Sequence, residues 1–163
     1  MTGFILLAAA ATLAQQTQSF TIFLQSPVGE ATPLFGPVRE AEWAPSWNPR
    51  FVNPPEPAQR EGIVFTTPNI QGKERIWLVT EFDTKAGRVS YVLITPGIDL
   101  VTLKIRVQPD GDRHSKATII YVFTALSPAG NAEVNQHDAH WAEQQRVHWE
   151  TAINAVLAKG SGS

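Results

Sequence analysis

The first part of the chain alternates between apolar and polar positions in a way that predicts one strand followed by two short helices. Residues 20–25 alternate in the way of a strand, with Phe20, Ile22 and Leu24 on one face, and Pro27 ends this strand pattern. One short helix is predicted to begin at Thr32-Pro33, and a second is predicted over residues 38–43. Five prolines between residues 45 and 57 then predict an extended loop.

The middle of the chain predicts an antiparallel meander. Short segments rich in Gly, Pro, Asn and Asp separate its strand-like runs, and connections this short join antiparallel neighbours. The runs cover residues 62–67, 74–83, 88–95, 100–108 and 116–126.

The last part of the chain predicts one long helix. Residues 133–158 contain no Gly or Pro, and Trp149, Ile153 and Val156 recur at helical spacing. A curved antiparallel sheet of about six strands then has to bury one face, and only this helix is long enough to cover it. The pattern therefore predicts an α+β helix-grip fold. A helix about 10 Å wide does not fill the concavity of a wide curved sheet, so we also expect an internal cavity.

Several segments resemble bacterial SRPBCC (START-like) proteins. Residues 35–43 (FGPVREAEW), followed by Trp47-Asn48-Pro49, resemble the aromatic-Pro-x-x-Glu-x-x-Trp stretch and Trp-x-Pro loop of that superfamily. Residues 77–83 and 121–127 look like its middle and last strands, and residues 149–154 look like part of its final helix. This resemblance implies the same helix-grip fold.

The resemblance implies an architecture rather than one reaction, because the superfamily holds lipid and steroid carriers, plant hormone binders, polyketide cyclases and co-chaperone modules. We expect a non-catalytic binding or carrier protein for a small hydrophobic or amphipathic ligand. Two alternatives stay open: a polyketide cyclase- or hydratase-like enzyme, and a protein-interaction module like the co-chaperone activators. The predicted ligand pocket is lined mainly by aromatic residues. They are Trp43, Trp47, Phe65, Trp77, Tyr91, Leu103, Tyr121, Phe123 and Trp149.

Charge and motif content narrow the function classes further. The formal net charge of −2 counts against a nucleic-acid partner, because proteins that bind nucleic acids normally carry a basic surface. The chain has no cysteine, which excludes disulfides and thiolate chemistry. Neither a Gly-x-Ser-x-Gly elbow nor a Gly-x-x-x-x-Gly-Lys-Ser/Thr phosphate loop occurs. We therefore predict no cofactor, and the sequence carries no signature of an oligomeric state.

Three sets of titratable residues could form a metal site, carry out acid–base catalysis or have a structural role. The His137-x-x-His140 pair has the wrong spacing for the helical zinc signature, so we expect a wet helix surface and no metal site. Glu81 and Asp83 share a strand face and would suit acid–base work, but a solvated strand end is the simpler interpretation.

Glu40 stands out because it lies in the resembling segment beside two tryptophans. We expect it to hold the Pro-rich loop, either by accepting hydrogen bonds from backbone N–H groups or by pairing with Arg39 or Arg50.

The ends of the chain predict features outside the domain. Residues 4–14 form an apolar run that is too short to cross a bilayer as a helix. The run fits a secretory signal that is cleaved after Ala14, although no Lys or Arg precedes it. We predict a signal peptide over residues 1–14, export to the periplasm or medium with a cytoplasmic location as the alternative, and no stable membrane insertion. One domain over residues 18–158 and a flexible tail over residues 159–163 complete the predicted organisation.

Overall fold

The computed structural model describes residues 12–68 and 72–160. Within these ranges, seven strands form one antiparallel sheet with the order β1-β7-β6-β5-β4-β3-β2. The strands from β2 to β7 therefore make a meander, and the first strand pairs with the last. Their bounds are β1 (Gln15–Leu24), β2 (Arg50–Asn53), β3 (Val64–Pro68), β4 (Glu74–Asp83), β5 (Arg88–Thr95), β6 (Asp99–Pro109) and β7 (Ser115–Ala125).

Short helical segments follow β1, and a long helix follows β7, as the sequence predicts. The segments after β1 are α1 (Val28–Ala31) and 3₁₀ turns over Thr32–Phe35 and Arg39–Glu42, and another 3₁₀ turn, Pro128–Gly130, follows β7. The C-terminal part contains α2 (Asn131–Asn135) and the long helix α3 (Ala139–Gly160). Of the described helices, none is long and apolar enough to cross a membrane.

The predicted single helix over residues 133–158 is in fact two helices. Asp138 stands between them, and its Oδ1 accepts the N–H of Trp141 at 2.9 Å, which is the bond of a helix N-cap. The apolar spacing continues across this junction, so periodicity alone does not reveal it.

Two further boundaries differ from the prediction. β1 begins at Gln15, three residues before the predicted domain start. α3 runs through Gly160, so Lys159 and Gly160 of the predicted tail are helical. Residues 1–11 of the predicted signal segment, and residues 161–163, lie outside the described ranges.

One strand, β2, is not among the predicted strands. It lies inside the proline-containing segment that is predicted to be only a loop. It is four residues long and pairs with β3, with Phe51 opposite Phe65. The two rings lie 5.8 Å apart. This aromatic contact stabilises the pairing of β2 with β3. β2 is an edge strand, which is where a sheet tolerates neighbouring prolines.

Strict alternation sets which side chains face the interior. On β6, Val101, Leu103, Ile105 and Val107 are buried, whereas Lys104 is exposed. Because the side-chain period of a strand is two, the antiparallel register carries this inner face across the whole sheet.

α3 closes the outer edge of β1 with side-chain hydrogen bonds. Glu150 Oε2 accepts the Phe23 N–H at 2.9 Å, and Asn154 Oδ1 accepts the Gln25 N–H at 2.9 Å. Asn154 Nδ2 also donates to the Phe23 carbonyl at 2.9 Å. The helix thus satisfies backbone groups that an open sheet edge would leave unpaired, and it is fixed along β1.

Trp149 joins α3 to the sheet and to the short helical segments. Its ring lies 5.8 Å from Phe20 of β1, 6.2 Å from Phe35 and 5.0 Å from Trp43. These centroid separations lie in the range of favourable aromatic pairs, and the Trp149 side chain is buried.

We predict that Trp149→Ala lowers the free energy of unfolding by about 3–5 kcal/mol, because a large buried ring with several aromatic partners is removed. Val147→Ala, on the same helix at a position that is 49% exposed, is the matched control and is expected to change it by less than about 0.5 kcal/mol. Urea denaturation measures both. Equal effects of the two changes would contradict the orientation of α3.

Candidate functional site

Four of the predicted pocket residues form one aromatic cluster over β3, β4 and β5, which we call the meander cluster: Trp47, Phe65, Trp77 and Tyr91. Phe65 and Trp77 stack at 5.4 Å, and Trp47 meets Trp77 edge-on at 5.2 Å. Their polar atoms bond locally: Trp47 Nε1 donates to the Pro37 carbonyl at 2.7 Å, and Trp77 Nε1 donates to Thr67 Oγ1 at 3.0 Å. The cluster therefore needs no further partner for its indole N–H groups.

A second aromatic cluster, which we call the helix cluster, lies under α3 and contains Trp43, Tyr121, Phe123, Trp141 and Trp149. Tyr121 stacks on Phe123 at 5.4 Å, and Trp141 packs edge-on against both rings at 5.3 Å. Trp43 is buried in this cluster, where its Nε1 donates to the Leu34 carbonyl at 2.7 Å.

The remaining predicted pocket residue, Leu103, lies between the two clusters. The register pairs Tyr91 with Leu103 and Leu103 with Tyr121, so the three residues form one row across β5, β6 and β7. Neighbouring strands are about 4.8 Å apart, which puts the two tyrosine Cα atoms about 10 Å apart. The nine predicted residues thus line one inner face of the sheet and the helix packed on it, and their contact with a ligand stays a prediction.

The expected structural role of Glu40 is wrong. Gln59 holds the Pro-rich loop instead: its Oε1 accepts the N–H groups of Val38 at 3.0 Å and of Arg39 at 2.7 Å. The two candidate cation partners are also engaged elsewhere, since Arg39 pairs with Glu42 and Arg50 pairs with Glu74. Within the described ranges, the Glu40 carboxyl forms no hydrogen bond and no ion pair.

Burial dominates the electrostatics of Glu40. Desolvation raises the pKa of its carboxyl from 4.5 to about 8. A charge on Glu40 in turn helps to raise the pKa values of Tyr91 and Tyr121, after the larger effect of their own burial. The carboxyl is therefore close enough to both phenols to act on them.

The Tyr121 hydroxyl resembles Glu40 in having no hydrogen-bond partner in the described part of the chain, whereas the Tyr91 hydroxyl donates to the Phe35 carbonyl at 2.6 Å. Among the described residues, the fully enclosed side-chain atoms without a partner are Asp99 Oδ1 and His137 Nδ1. The Glu40 and Tyr121 oxygens are not among them, so they border open space.

Protein surrounds the Glu40 carboxyl densely enough to desolvate it, yet both Glu40 and Tyr121 keep part of their surface accessible. An internal cavity, which the sequence predicts, would give both conditions together, and it stays a prediction. We call the predicted space beside Glu40, Tyr121 and the two aromatic clusters the interior recess.

A buried ion pair lies on the same inner face as the two clusters. Arg75 Nη2 donates to Asp99 Oδ2 at 2.7 Å, and Arg75 Nε donates to Thr95 Oγ1 at 2.9 Å. Arg75 lowers the pKa of Tyr121, opposing the effect of burial, and it contributes to the lowered pKa of His137. Its charge is therefore felt by the helix cluster.

The expected wet helix surface is wrong for His137, which is half-buried between α2 and α3, whereas His140 is exposed on α3. The His137 ring stacks on Phe123 at 3.8 Å, and burial lowers its pKa, which favours the neutral ring. His140 Nε2 lies 3.0 Å from Gln144 Nε2 on the exposed face of α3. In the described ranges, no three potential ligands converge as a metal ion would require.

The paired carboxylates Glu81 and Asp83 are engaged by arginines. Arg88 bonds to both, at 2.6 Å and 3.0 Å, and Arg106 lies 2.8 Å from Glu81. A bulge in β4 separates Val79 from Glu81 in the pairing with β5. Hydrogen bonding lowers the pKa of each carboxyl, from Arg88 for Glu81 and from the Ala86 backbone for Asp83. Both are therefore held ionised, which does not suit a general acid.

An open groove of about 620 Å³ runs along the outer face of α3. Its lining residues are polar types apart from Val147, but the surface that they expose to the groove is mainly apolar. None of the predicted pocket residues borders it, so it is a separate surface. The lining residues are His140, Glu143, Gln144, Val147, His148 and Thr151.

No family model matches the sequence, and no curated protein matches it. Solved structures do match in fold. Norcoclaurine synthase from Thalictrum flavum, as a point mutant in complex with a transition-state analogue, superposes with a TM-score of 0.68 at 10% identity, covering 93% of this chain and 99% of its own.

Two other solved structures match this chain with comparable TM-scores. Ara h 8.0201 gives a TM-score of 0.62 at 15% identity over 89% of this chain and 99% of its own. The protein XoxI from Bacillus cereus gives 0.64 at 13% identity over 90% and 99%. Such low identities show the fold alone. That fold is the helix-grip fold that the sequence predicts.

We predict that the stability of the protein falls as pH rises from about 4.5 to 8, and that Glu40→Gln removes most of this slope. The folded carboxyl keeps its proton up to about pH 8, whereas the unfolded one loses it near 4.5. The folded state binds more protons in this window, so rising pH destabilises it by up to about 1.4 kcal/mol per pH unit.

Urea denaturation of the two proteins at several pH values measures the difference. Below pH 4.5 the slope due to Glu40 is expected to vanish, which provides an internal control. A constant stability difference from pH 4.5 to 8 would contradict the desolvated carboxyl.

Proposed function

We propose that the protein binds a small hydrophobic or amphipathic molecule in the interior recess. One observation carries this proposal: the Glu40 carboxyl and the Tyr121 hydroxyl, on two partly accessible residues, have no hydrogen-bond partner in the described protein. Buried polar groups are nearly always hydrogen-bonded, because leaving one unpaired costs about 1–3 kcal/mol. A ligand or ordered water that fills the recess would supply the missing bonds.

The lining of the recess supports an aromatic or otherwise flat apolar ligand. Trp47, Trp77, Tyr121 and Trp141 are only half-buried, although all four pack against the core. Their ring faces and edges offer apolar surface, and the few polar atoms offer orientation. This combination is typical of small-molecule sites.

The proposed role is that of a carrier or binding protein, and an enzyme of the polyketide cyclase or hydratase type is the second candidate. A specific observation favours that candidate: a carboxyl with a pKa of about 8 exchanges its proton near neutral pH, as a general acid or base does. One similar structure is norcoclaurine synthase in complex with dopamine and hydroxybenzaldehyde. We prefer the binding role because, among the described residues, the titratable groups on which Glu40 acts are Tyr91 and Tyr121, whose pKa values are raised, not lowered.

We predict that at least one class among fatty acids, sterols, flavonoids and polycyclic aromatics raises the melting temperature. A ligand at about 100 times its Kd stabilises the folded state by about 2.7 kcal/mol. At about 2–4 °C per kcal/mol for a chain of this size, the shift is several degrees. Native mass spectrometry of the purified protein checks in parallel whether a host molecule remains bound.

Two variants distinguish the recess from the open groove on α3. Leu103→Phe enlarges a side chain between Tyr91 and Tyr121 and is expected to reduce the shift, at a stability cost of about 1–3 kcal/mol. Val147→Glu changes the groove and is expected to leave the shift intact. The reverse result would move the site to the groove, and the absence of any shift would contradict the binding role.

We also propose that the protein is exported, on the basis of the apolar run over residues 4–14. In support, β1 begins at Gln15, which is the first residue that cleavage after Ala14 would leave. We predict that the chain, expressed with its own start in a bacterial host, begins at Gln15 when its N-terminus is sequenced. Soluble cytoplasmic protein that begins at Met1 or Thr2 would contradict export.

A further inference from the structure

We infer that folding closes the peptide bond between Ala14 and Gln15 to proteases, and that the side chain of Asn131 keeps it closed. Removal of the proposed leader, residues 1–14, then has to precede folding. This inference rests on the proposed export and concerns the regulation of the same cleavage site. It does not depend on a ligand in the interior recess.

Three hydrogen bonds fix the backbone on the leader side of this bond. The Ala14 carbonyl accepts the Ala125 N–H at 2.9 Å, and the Ala14 N–H donates to Asn131 Oδ1 at 2.8 Å. Asn131 Nδ2 donates in turn to the Thr12 carbonyl at 3.1 Å. Because one amide group binds both an N–H and a C=O of the segment, it extends the β1–β7 ladder beyond Gln15 in the way of a further strand.

The bond is closed by hydrogen bonds rather than by burial. Thr12, Leu13 and Gln15 are exposed, and Ala14 is half-buried. Gln15 is the first residue of β1 and pairs with Thr124, whose Oγ1 accepts its side-chain Nε2 at 3.0 Å. A protease can therefore reach this surface, but it meets backbone groups that are already paired.

Asn131 is itself held in place by the connection between β7 and α2. The Leu126 N–H bonds to the Ile98 carbonyl at 2.8 Å, and a Cβ at position 130 would collide with the same oxygen. Glycine at this position lets the turn before Asn131 pack directly on the turn between β5 and β6. The Asn131 N–H also bonds to the Pro128 carbonyl. The side chain that binds the leader segment thus projects from a short, fixed connection.

A protease that cleaves after Ala14 needs the groups that the fold occupies. Its nucleophile attacks the Ala14 carbonyl carbon, and its oxyanion hole must bind the carbonyl oxygen, which accepts the Ala125 N–H in the folded chain. Over the whole reaction the bond from this carbon to the Gln15 nitrogen breaks, and one water adds its hydroxyl to the carbon and a hydrogen to the nitrogen. The Ala14 side chain also packs against the core. The start of β1 therefore has to open before cleavage, and the opened fraction sets the rate.

Cleavage of the purified full chain by a bacterial signal peptidase tests the inference. Cell-free synthesis without membranes supplies the uncleaved chain, and mass spectrometry follows the product that begins at Gln15. The unfolded reference is the full chain with Ile119→Asp, which puts an unpaired charge at a fully buried position, and circular dichroism checks that it is unfolded. We expect this reference to be cleaved about 100-fold faster than the folded original, the effect of about three modest hydrogen bonds.

Three variants assign the protection to Asn131. Asn131→Ala removes two of the bonds and is expected to raise the cleavage rate of the folded chain about tenfold. Asn131→Asp keeps an acceptor for the Ala14 N–H but has no donor for the Thr12 carbonyl, so a smaller increase is expected. Asn135→Ala is the matched control, because Asn135 is exposed at the other end of α2, and it is expected to leave the rate unchanged.

Hydrogen exchange separates a local opening from a general loss of stability. The Ala14 amide is expected to be protected in the original protein, because it donates to Asn131 Oδ1. Asn131→Ala is expected to lower the protection of this amide and to leave the amides of the central strand β6 unchanged. An equal loss of protection at both places would mean that the variant acts through global stability, and would overturn the role of Asn131.

The outcomes distinguish this inference from the proposed export. If the folded original is cleaved as fast as the unfolded reference, the inference is overturned and the proposed export stands. If neither is cleaved between Ala14 and Gln15, the proposed export and this inference fail together. If the reference is cleaved faster but Asn131→Ala behaves like the original, folding protects the bond without Asn131, and the assigned role of that residue is wrong.

Discussion

One helix has to cover the inner face of a seven-stranded sheet, and this constraint shapes the rest of the molecule. α3 is fixed along β1 by Glu150 and Asn154, which bond to the backbone of that edge strand. Of the strands, β1 is the one that α3 packs on most closely. The inner face of the more distant strands must therefore be covered by large side chains and by the short helical segments.

The two aromatic clusters are the consequence of that geometry. The meander cluster covers β3, β4 and β5, and the helix cluster fills the space under α3. The segment from Leu34 to Trp43 joins them: Trp43 bonds to the Leu34 carbonyl, and Tyr91 bonds to the Phe35 carbonyl. Glu40 lies within this tightly held segment, and its carboxyl has no hydrogen bond to the described residues. A costly desolvated carboxyl in an otherwise satisfied region is the kind of local inconsistency that functional sites retain.

Much of the fold is predictable from the sequence, because period-two alternation and turn residues are local signals. The alternation on β6 identifies its buried face, and the Gly- and Pro-rich connections give the meander order. The junction at Asp138 is hidden because the apolar spacing continues through it. β2 is hidden because its pairing depends on the contact of Phe51 with Phe65, which no local pattern reports.

The site is less predictable than the fold. All nine predicted pocket residues lie on the inner face or against it, since aromatic residues at inward positions are easily recognised. The predicted role of Glu40 is wrong because Gln59 holds the loop instead. Gln59 lies about 20 residues farther along the chain, and only the tertiary structure brings it close to this segment. The resembling segment around Glu40 did mark the residue, but it did not reveal that the carboxyl lacks a partner.

The proposed function depends on Glu40 being a desolvated carboxyl beside the predicted interior recess. An NMR titration of the Glu40 side-chain carboxyl carbon in the ligand-free protein tests it most directly. We predict a midpoint near pH 8, where burial places the pKa of this group. A midpoint near the ordinary value of 4.5 would show that the carboxyl is solvated or paired, and would contradict the account.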